Sequence, residues 1–334
     1  MYKISNRRYT GSKYKLLDEI ESCIEKYCTG DSFFDVFAGT GVVSDRMRKF
    51  FPHIIINDFL FSNEVIYRAF FENEPFDNEK ILAYKTRYQS FAKETLSENY
   101  FSENFGDKYF SRHDAKVIGF IRDDLSHNAD NFTPKEFNIL LASLIFSMDK
   151  IANTVGHYDA YRKIKKIEDR FEYDLIDAQP SAGTFDIYRE DANQLAKKVK
   201  ADVAFVDPPY NSRQYSRFYH ILENITKWDC PPLTGTALKP PPENMSEYCR
   251  SSAPIVFEEL IYALNVKFII VTYNNTYHSK SNSSKNKISL EQIDHILNNR
   301  GSTIRIEKDH PFFNAGKTDF ENHKEYIFVT EVKN

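Results

Sequence analysis

The chain has 334 residues, of which 41% are hydrophobic and 28% are charged, and its formal net charge at pH 7 is -4. This composition is ordinary for a globular protein, and the length allows one large domain that carries a smaller inserted one. The negative total excludes a polycation, so any affinity for nucleic acid has to come from local clusters of positive charge.

Cysteine spacing and the apolar segments argue against a metal-binding protein and against a secreted or membrane protein. The four cysteines contain no Cys-x-x-Cys pair and the nine histidines form no ligand motif, so we predict no metal site. Polar and basic residues follow Met1, which argues against a signal peptide. The longest apolar stretch, 137–148, is too short to span a bilayer. We therefore expect a cytoplasmic protein with reduced thiols and no membrane partner.

The first elements along the chain are a helix, a strand and a turn with two glycines. Apolar residues recur at helical spacing over Leu16–Tyr27, which predicts an amphipathic helix. The run Phe33–Phe37 predicts a strand, which breaks at Ala38-Gly39-Thr40-Gly41 before a helical pattern begins at Val42. A turn of this kind after a first parallel strand is the usual position of an adenosine cofactor. The third glycine of the dinucleotide fingerprint is missing, which disfavours NAD and FAD.

A second strand is followed by a long segment in which no strand is predicted. The run Ile54–Asn57 ends at Asp58, at the spacing of roughly 20 residues at which an acidic side chain bonds the ribose hydroxyls of an adenosine. A solvated strand end explains this aspartate equally well. Helical patterns dominate from residue 62 to residue 183, so we predict an inserted, mainly helical domain over that range.

The predicted insertion contains a strong helix signal and a polar loop. Thr133-Pro134-Lys135-Glu136 combines an N-cap, a proline at the first helical position and a capping-box glutamate. The loop Asn153–Arg162 carries hydrogen-bonding and aromatic side chains that suit the reading of base edges. Arg162 and Lys163 begin a basic stretch that suits phosphate contacts, as do basic clusters at 7–15 and at Lys280, Lys285 and Lys287. A polar surface connection with solvated charges is the alternative.

Four more strands are predicted after the insertion, at Thr184–Tyr188, Val203–Val206, Phe268–Tyr273 and Tyr326–Thr330. A proline-rich segment, 231–254, separates the second of these runs from the third and cannot be regular structure throughout. A loop of this length beside a site is usually functional.

The tetrapeptide Asp207-Pro208-Pro209-Tyr210 lies directly behind the apolar run Val203–Val206. Pro208 biases Asp207 towards extended geometry and has no N–H, so a carboxylate and an unpaired backbone carbonyl can face the same small space. Both groups accept hydrogen bonds, which an exocyclic NH2 of a nucleobase can donate, and Tyr210 offers a ring on which the base can stack. A strand that ends in a Pro-Pro turn is the alternative interpretation.

Five segments, taken together, resemble the alpha-class DNA adenine-N6 methyltransferases that use S-adenosylmethionine, a family with type II modification methylases and Dam-like enzymes. The segments are Arg8-Tyr9-Thr10-Gly11-Ser12-Lys13, Asp35-Val36-Phe37-Ala38-Gly39-Thr40-Gly41, Asp58, Tyr188-Arg189-Glu190-Asp191-Ala192 and Asp207-Pro208-Pro209-Tyr210. Their order along the chain is far more specific than any one of them.

The resemblance implies an α/β fold with a Rossmann-like methyltransferase sheet, mostly parallel with an antiparallel closing strand. It implies a catalytic domain made of residues 1–61 and 184–334, with residues 62–183 as an inserted target-recognition domain. It also implies S-adenosylmethionine as the cofactor. The implied cofactor-binding residues are Tyr9, Lys13, Asp35, Phe37, Gly39, Gly41, Asp58, Asp191 and Asp207.

The resemblance further implies that Asp207, Pro208 and Tyr210 are catalytic. The N6 hydrogens of an everted adenine would bond to the Asp207 carboxylate and the Pro208 carbonyl, while Tyr210 would stack on the base. Lys13 would pair with the methionine carboxylate of the cofactor. Asp58 would bond its ribose and Asp191 its adenine amine.

Arg213 and Gln214 follow the tetrapeptide, where a flipped nucleotide leaves its phosphates, so we expect one of them to contact DNA. Double-stranded DNA is the expected partner of a monomeric enzyme, with a companion restriction endonuclease as the preferred functional pairing. N4 of cytosine, an RNA or a protein amide are alternative acceptors, although the resemblance implies that aspartate in the first position favours adenine. A nicotinamide enzyme and a non-catalytic DNA-binding module are competing hypotheses.

Overall fold

The computed structural model describes residues 1–179, 183–275, 287–309 and 324–333, so Lys280 and Lys285 of the third basic cluster lie outside the described residues. The chain divides into two compact units. The first unit consists of Met1–Ser12, Leu60–Ala182 and Tyr215–Glu243, and the second consists of Lys13–Phe59, Gly183–Gln214 and Asn244–Asn334.

The second unit is built on a seven-stranded sheet. Its strands are β1 (Ser32–Asp35), β2 (His53–Asn57), β3 (Thr184–Tyr188), β4 (Val203–Val206), β5 (Phe268–Asn274), β6 (Gly301–Asp309) and β7 (Lys324–Val332). Their order across the sheet is β3-β2-β1-β4-β5-β7-β6. Strands β1 to β5 pair in parallel, and β7 lies antiparallel to both β5 and β6. The predicted α/β class, with a mostly parallel sheet and an antiparallel closing strand, is confirmed.

The central strands form because their sequences are continuous apolar runs. All four residues of β4 are buried, as are Phe33 and Phe34 of β1. Strands of a parallel sheet that is covered on both faces show this pattern rather than an alternation of apolar and polar residues. The register places Asp35 beside Ile56 of β2 and Phe205 of β4, so the residues that follow these three strands emerge at one edge of the sheet.

The described residues contain α-helices in both units. They are α1 (Leu17–Tyr27), α2 (Val42–Met47), α3 (Phe61–Phe71), α4 (Asn78–Phe91), α5 (Tyr100–Phe105), α6 (Arg112–His127), α7 (Pro134–Ile151), α8 (Ala192–Ala196), α9 (Tyr215–Phe218), α10 (His220–Lys227), α11 (Ala253–Ala263) and α12 (Leu290–Arg300). Short 3-10 helices cover Ile4–Asn6, Lys13–Leu16, Ala129–Asn131 and Glu247–Cys249. Helix α1 confirms the predicted amphipathic helix, because Leu17, Ile20 and Ile24 are buried on one face.

The first unit is mainly helical and is organised around α7, which is buried along most of its length. The predicted capping box starts this helix, because the Thr133 side chain accepts a hydrogen bond from the Glu136 N–H and the Glu136 carboxylate accepts one from the Thr133 N–H. The buried Lys135 Nζ donates to the last carbonyls of α3, which include that of Ala69 at 2.8 Å. This cation satisfies helix-end acceptors that would otherwise be unpaired.

Two features of the fold differ from the pattern in the sequence. Strand β6 was not expected, because it lies at the edge of the sheet and most of its side chains are exposed, so no apolar run marks it. The segments 1–12 and 215–243 lie in the same compact unit as the helical insertion. The assignment of residues 62–183 to target recognition stays a prediction.

The helices, the possible metal ligands and the cysteines of the described ranges limit the kinds of site that they can form. No helix there is long and apolar enough to cross a membrane. No group of three or more histidine, cysteine, aspartate or glutamate side chains in the same ranges is placed to hold a metal ion. All four cysteines are free thiols.

Candidate active site

The candidate site lies at the carboxyl edge of the parallel strands in the second unit. The glycine turn follows β1, Asp58 follows β2 and Asp207 follows β4. Strand β5 pairs with β4 so that Val271 lies beside Val206, which places Thr272 next to Asp207. The sheet thus brings together, from distant parts of the sequence, the residues that the motifs single out.

The glycine turn has a backbone conformation that favours glycine. Gly39 has a φ of 54° and Gly41 a φ of 77°, both in the left-handed region. The Gly39 N–H donates a hydrogen bond to Asp58 Oδ2 at 3.0 Å. Gly41 precedes the first residue of α2 as its N-cap, so the turn leads directly into the start of a helix. This geometry allows a ligand to approach the backbone closely.

Asp35, at the end of β1, is fully buried and only partly satisfied. Ser44 Oγ donates to its Oδ2 at 2.7 Å. No described residue forms a hydrogen bond with its Oδ1. Burial raises the pKa of the Asp35 carboxyl to about 7, although the hydrogen bond from Ser44 acts in the opposite direction. A buried carboxylate oxygen without a partner is a ready acceptor for a donor on a bound ligand.

Asp207 has several charged and polar partners in the site. Its Oδ2 forms an ion pair with Lys13 Nζ at 2.9 Å, and the lysine side chain is only 6% exposed. Its Oδ1 accepts hydrogen bonds from Thr272 Oγ1 at 2.8 Å and from Tyr210 Oη. Burial raises the pKa of the Asp207 carboxyl, while Lys13, Tyr210 and Thr272 act to lower it. These three groups therefore favour the ionised, hydrogen-bond-accepting form.

The rest of the tetrapeptide is held by β5 and by the chain after it. The Tyr210 ring packs edge-on against Tyr273 with a centroid distance of 4.7 Å, and Lys13 Nζ lies 4.8 Å from the Tyr210 ring centroid. The Tyr210 carbonyl accepts a hydrogen bond from the Lys287 N–H at 2.8 Å. Among the described residues, none donates a hydrogen bond to the carbonyl of Pro208. That the Asp207 carboxylate and the Pro208 carbonyl face the same small space stays a prediction.

Residues 9–254 match a family model described as D12 class N6 adenine-specific DNA methyltransferase. That match covers well over half of the chain. The chain belongs to this family. The resemblance found in the motifs is thereby confirmed.

Curated proteins of similar sequence are type II methyltransferases. The chain is 32% identical to Type II methyltransferase M.FokI of Planomicrobium okeanokoites over 97% of the chain and 52% of that protein. It is 33% identical to Modification methylase StsI of Streptococcus sanguinis over 80% of the chain and 44% of that protein. It therefore spans about half the length of these two relatives. Type II methyltransferase M.NlaIII of Neisseria lactamica is 30% identical over 97% of the chain and 98% of that protein.

Within this D12-class chain, the other predicted cofactor residues have distinct surroundings. The Phe37 ring packs edge-on against Tyr248 at a centroid distance of 5.0 Å. Asp191 caps α8, because its Oδ1 accepts a hydrogen bond from the Gln194 N–H at 3.1 Å. Tyr9 belongs to the first unit, where its ring stacks on Tyr219 at 4.6 Å and on Tyr215 at 5.4 Å. Lys13 is paired with Asp207, and its predicted bond to the methionine carboxylate would compete with that ion pair.

The predicted DNA contacts of this D12-class chain fall in both units. In the second unit, Gln214 Nε2 donates to the Ser246 carbonyl at 2.9 Å and Gln214 Oε1 accepts from the Ser246 N–H at 2.7 Å. The Gln214 amide therefore holds the loop that follows the tetrapeptide. Arg213 makes backbone contacts, including a hydrogen bond from its N–H to Asn211 Oδ1 at 3.0 Å. In the first unit, Arg162 and Lys163 are exposed.

Motif reasoning missed the residues that support the site from neighbouring elements. Thr272 and Tyr273 of β5 contact Asp207 and Tyr210, and Ser44 of α2 contacts Asp35. One signal was available for Thr272. A polar side chain near the carboxyl end of an otherwise apolar strand is a candidate for the site at that edge of the sheet.

Proposed function

We propose that this chain transfers a methyl group from S-adenosylmethionine to N6 of an adenine within a specific sequence of duplex DNA. The observation that carries the proposal is the Asp207 carboxylate, which Lys13 favours in its ionised form, next to the Pro208 carbonyl. An exocyclic NH2 group has two hydrogens for these two acceptors. Membership of the D12 class supports adenine over cytosine, RNA or protein as the acceptor.

The residues at the carboxyl edge of the sheet fit S-adenosylmethionine. Asp58 would bond the ribose, the backbone of Gly39 and Gly41 would lie against the cofactor, and Asp191 would accept from its adenine amine. The unpaired Oδ1 of Asp35 would accept from a cationic amino group, which would also favour the ionised form of that carboxyl. When bound, S-adenosylmethionine supplies a methyl group that its positive sulfur already activates.

In this proposal the protein acts mainly by positioning and by electrostatics. The Asp207 carboxylate and the Pro208 carbonyl accept the two N6 hydrogens and so orient the nitrogen lone pair. As nitrogen gains the methyl group it becomes positive, and the Asp207 carboxylate stabilises that charge until a proton leaves N6. The Tyr210 ring stacks on the base, and the contact with Tyr273 holds that ring in place.

Three further attributes belong to the same proposal. The relatives named above are type II enzymes, so we propose that this chain modifies the recognition site of a companion restriction endonuclease. One active site suffices to modify a short duplex, so we propose a monomer. We place the enzyme in the cytoplasm, because its DNA substrate lies there.

The proposal is tested by incubating the purified chain with unmethylated duplex DNA and S-adenosylmethionine labelled in the methyl group. Digestion to nucleosides should give labelled N6-methyladenine, and sequencing that detects modified bases should place it in one sequence context. Label in N4-methylcytosine would move the acceptor to cytosine. If no nucleoside carries the label while DNA binding is intact, the result would favour a non-catalytic DNA-binding module.

A further inference from the structure

A loop of the first unit, Asn153–Arg162, is closed at its base by hydrogen bonds. The Arg162 N–H donates to the Asn153 carbonyl at 3.1 Å, and Asn153 Nδ2 donates to the Arg162 carbonyl at 2.8 Å. The Arg8 guanidinium donates to the carbonyls of Ala152 at 3.1 Å and Thr154 at 2.9 Å. The start of the loop is thus fixed by charge-assisted hydrogen bonds.

Tyr158 holds the second half of this loop. Its side chain is buried, and its Oη donates to Asp149 Oδ1 at 2.8 Å. Its N–H donates to the Phe218 carbonyl at 2.7 Å, and its carbonyl accepts from Tyr109 Oη at 2.9 Å. An irregular loop anchored at both ends and in its middle presents its tip in a defined position.

The tip of the loop, Val155–His157, exposes an apolar side chain. Val155 is 50% exposed, and a Cβ added at Gly156, which has a φ of 107°, would have no atom within 4 Å. The His157 ring stacks on Phe218 with a centroid distance of 4.5 Å. Burial of a valine would stabilise the fold by roughly 1.5 kcal/mol or more, so a rigid loop that exposes one has forgone that stabilisation. The Val155 side chain is therefore available for contact with a binding partner.

The charge beside this tip fits a polyanion. Arg162, Lys163, Lys165 and Lys166 are all exposed, and within the described ranges only Lys166 has an ion-pair partner, Glu168. DNA offers a partner to both the exposed cations and Val155. Its phosphates attract the cations, and its major groove presents the apolar methyl group of thymine.

We infer that the tip Val155–His157 contacts base edges in the major groove, with Val155 as the apolar contact, while Arg162 and Lys163 bind the adjoining phosphates. The inference rests on the proposed function, because it assigns a reader to the DNA that the site methylates. Base contacts set sequence preference, whereas phosphate contacts set affinity for every sequence. The two parts of the inference therefore predict different mutant behaviour.

The test compares three variants with the wild-type chain on methylation-free genomic DNA, with modified-base sequencing as the readout. Val155→Ala should relax discrimination at one base pair of the site by at least about fivefold. The double variant Arg162→Gln, Lys163→Gln should keep the site preference, bind all duplexes more weakly and lower the slope of log affinity against log salt by about one to two. Leu82→Ala, which removes a side chain that is 47% exposed on α4 of the same unit, is the matched control.

Each outcome separates this inference from the proposed function. If the wild-type chain produces no N6-methyladenine, the proposed function fails first. If it does, and Val155→Ala retains the wild-type site preference, the base-contact assignment is wrong. If Val155→Ala binds every duplex more weakly by the same factor, the base-contact assignment is also wrong, because loss of a phosphate contact has that effect. A thermal unfolding midpoint equal to that of the wild-type chain would show that Val155→Ala is folded.

Discussion

At the scale of single residues, the site depends on the groups that favour the ionised form of Asp207. Burial raises the pKa of the Asp207 carboxyl and so favours its protonated form, which would offer one acceptor fewer to an amino group. Lys13 and the hydroxyl groups of Tyr210 and Thr272 oppose this effect. The cation also lies against the Tyr210 ring, so Lys13 supports two residues of the tetrapeptide at once.

Replacement of Lys13 tests this arrangement through the pH dependence of methyl transfer. Lys13→Met removes the positive charge, so the pKa of the Asp207 carboxyl should rise further. Because the ionised form is the active one in the proposed reaction, the acidic limb of the kcat/KM profile should move to higher pH. Lys15→Met, at an exposed lysine of the same segment, is the control and should leave the limb in place. An acidic limb that stays unchanged in Lys13→Met would contradict this account.

Asp35 should produce a pH dependence of stability with a defined sign. Its folded-state pKa of about 7 lies above the unfolded value of about 3.9. The protonated carboxyl therefore contributes stability that is fully present below pH 3.9 or so and is lost as the pH rises through 7. Asp35→Asn keeps a neutral group there. It should exceed the wild-type free energy of unfolding at pH 8 by up to roughly 4 kcal/mol, and should match it near pH 4.

Urea unfolding of both proteins at the two pH values measures this difference. A variant less stable than the wild type by the same amount at pH 4 and pH 8 would show that Asp35 is ionised throughout. The same substitution should weaken S-adenosylmethionine binding, because an amide cannot neutralise a cationic amino group.

The local motifs of the site were predictable from sequence, whereas their mutual contacts were not. Asp207 and Pro208 were found because proline geometry acts on adjacent residues. The ion pair between Lys13 and Asp207 joins residues that are far apart in the chain, and the bond from Thr272 depends on the register of β4 and β5. No local pattern contains that register.

At the scale of elements, the glycine turn links β1 to α2 through two left-handed residues. Gly41→Ala should lower stability by roughly 1 kcal/mol, because alanine is strained at a φ of 77°. It should also weaken S-adenosylmethionine binding at least about tenfold, since the backbone there lies against the proposed cofactor site.

Gly235→Ala provides a matched control for this substitution. Gly235 has a φ of 71° and lies in the first unit, and a Cβ added there would meet no atom within 4 Å. It should show the same loss of stability, read by thermal unfolding, without a change in cofactor affinity, read by calorimetry. Equal cofactor affinity in the two variants would mean that the β1–α2 turn does not contact the cofactor.

Element prediction succeeded where a segment buries a distinctive face. Strands β1 to β5 and β7 were marked by apolar runs, and α7 by its cap and its buried stripe. Strand β6 lacks such a run because it is the outermost of the described strands and its side chains are largely exposed. Its pairing with β7 defines it, and pairing is not visible in a single segment.

At the scale of the whole molecule, the chain passes between the two compact units several times. The first unit uses segments from both sides of the helical insertion to complete its own contacts. Glu223 of α10 accepts hydrogen bonds from the N–H groups of Phe61 and Ser62 at the start of α3, at 3.0 and 2.9 Å. Arg122 of α6 donates to the Ile225 carbonyl at 2.6 Å. The periodicity of apolar residues along the chain does not reveal these long-range contacts.

A fragment of residues 60–179 should therefore fail to fold by itself. It would lose the cap that Glu223 gives α3 and would leave the buried Arg122 guanidinium without its carbonyl partners. Circular dichroism and urea titration should show reduced helix content and no cooperative transition, in contrast to the full chain. A cooperative transition with native helix content would show that the insertion is an autonomous domain.

The most direct measurement of the central claim is the rate of methyl transfer to DNA by Asp207→Ala. It is made in a single turnover, with enzyme in excess over a duplex that contains the modified site. The account predicts a rate at least about 100-fold below that of the wild-type chain, because the acceptor that orients N6 and stabilises its positive charge is gone. DNA binding should persist. Transfer at the wild-type rate would contradict the account.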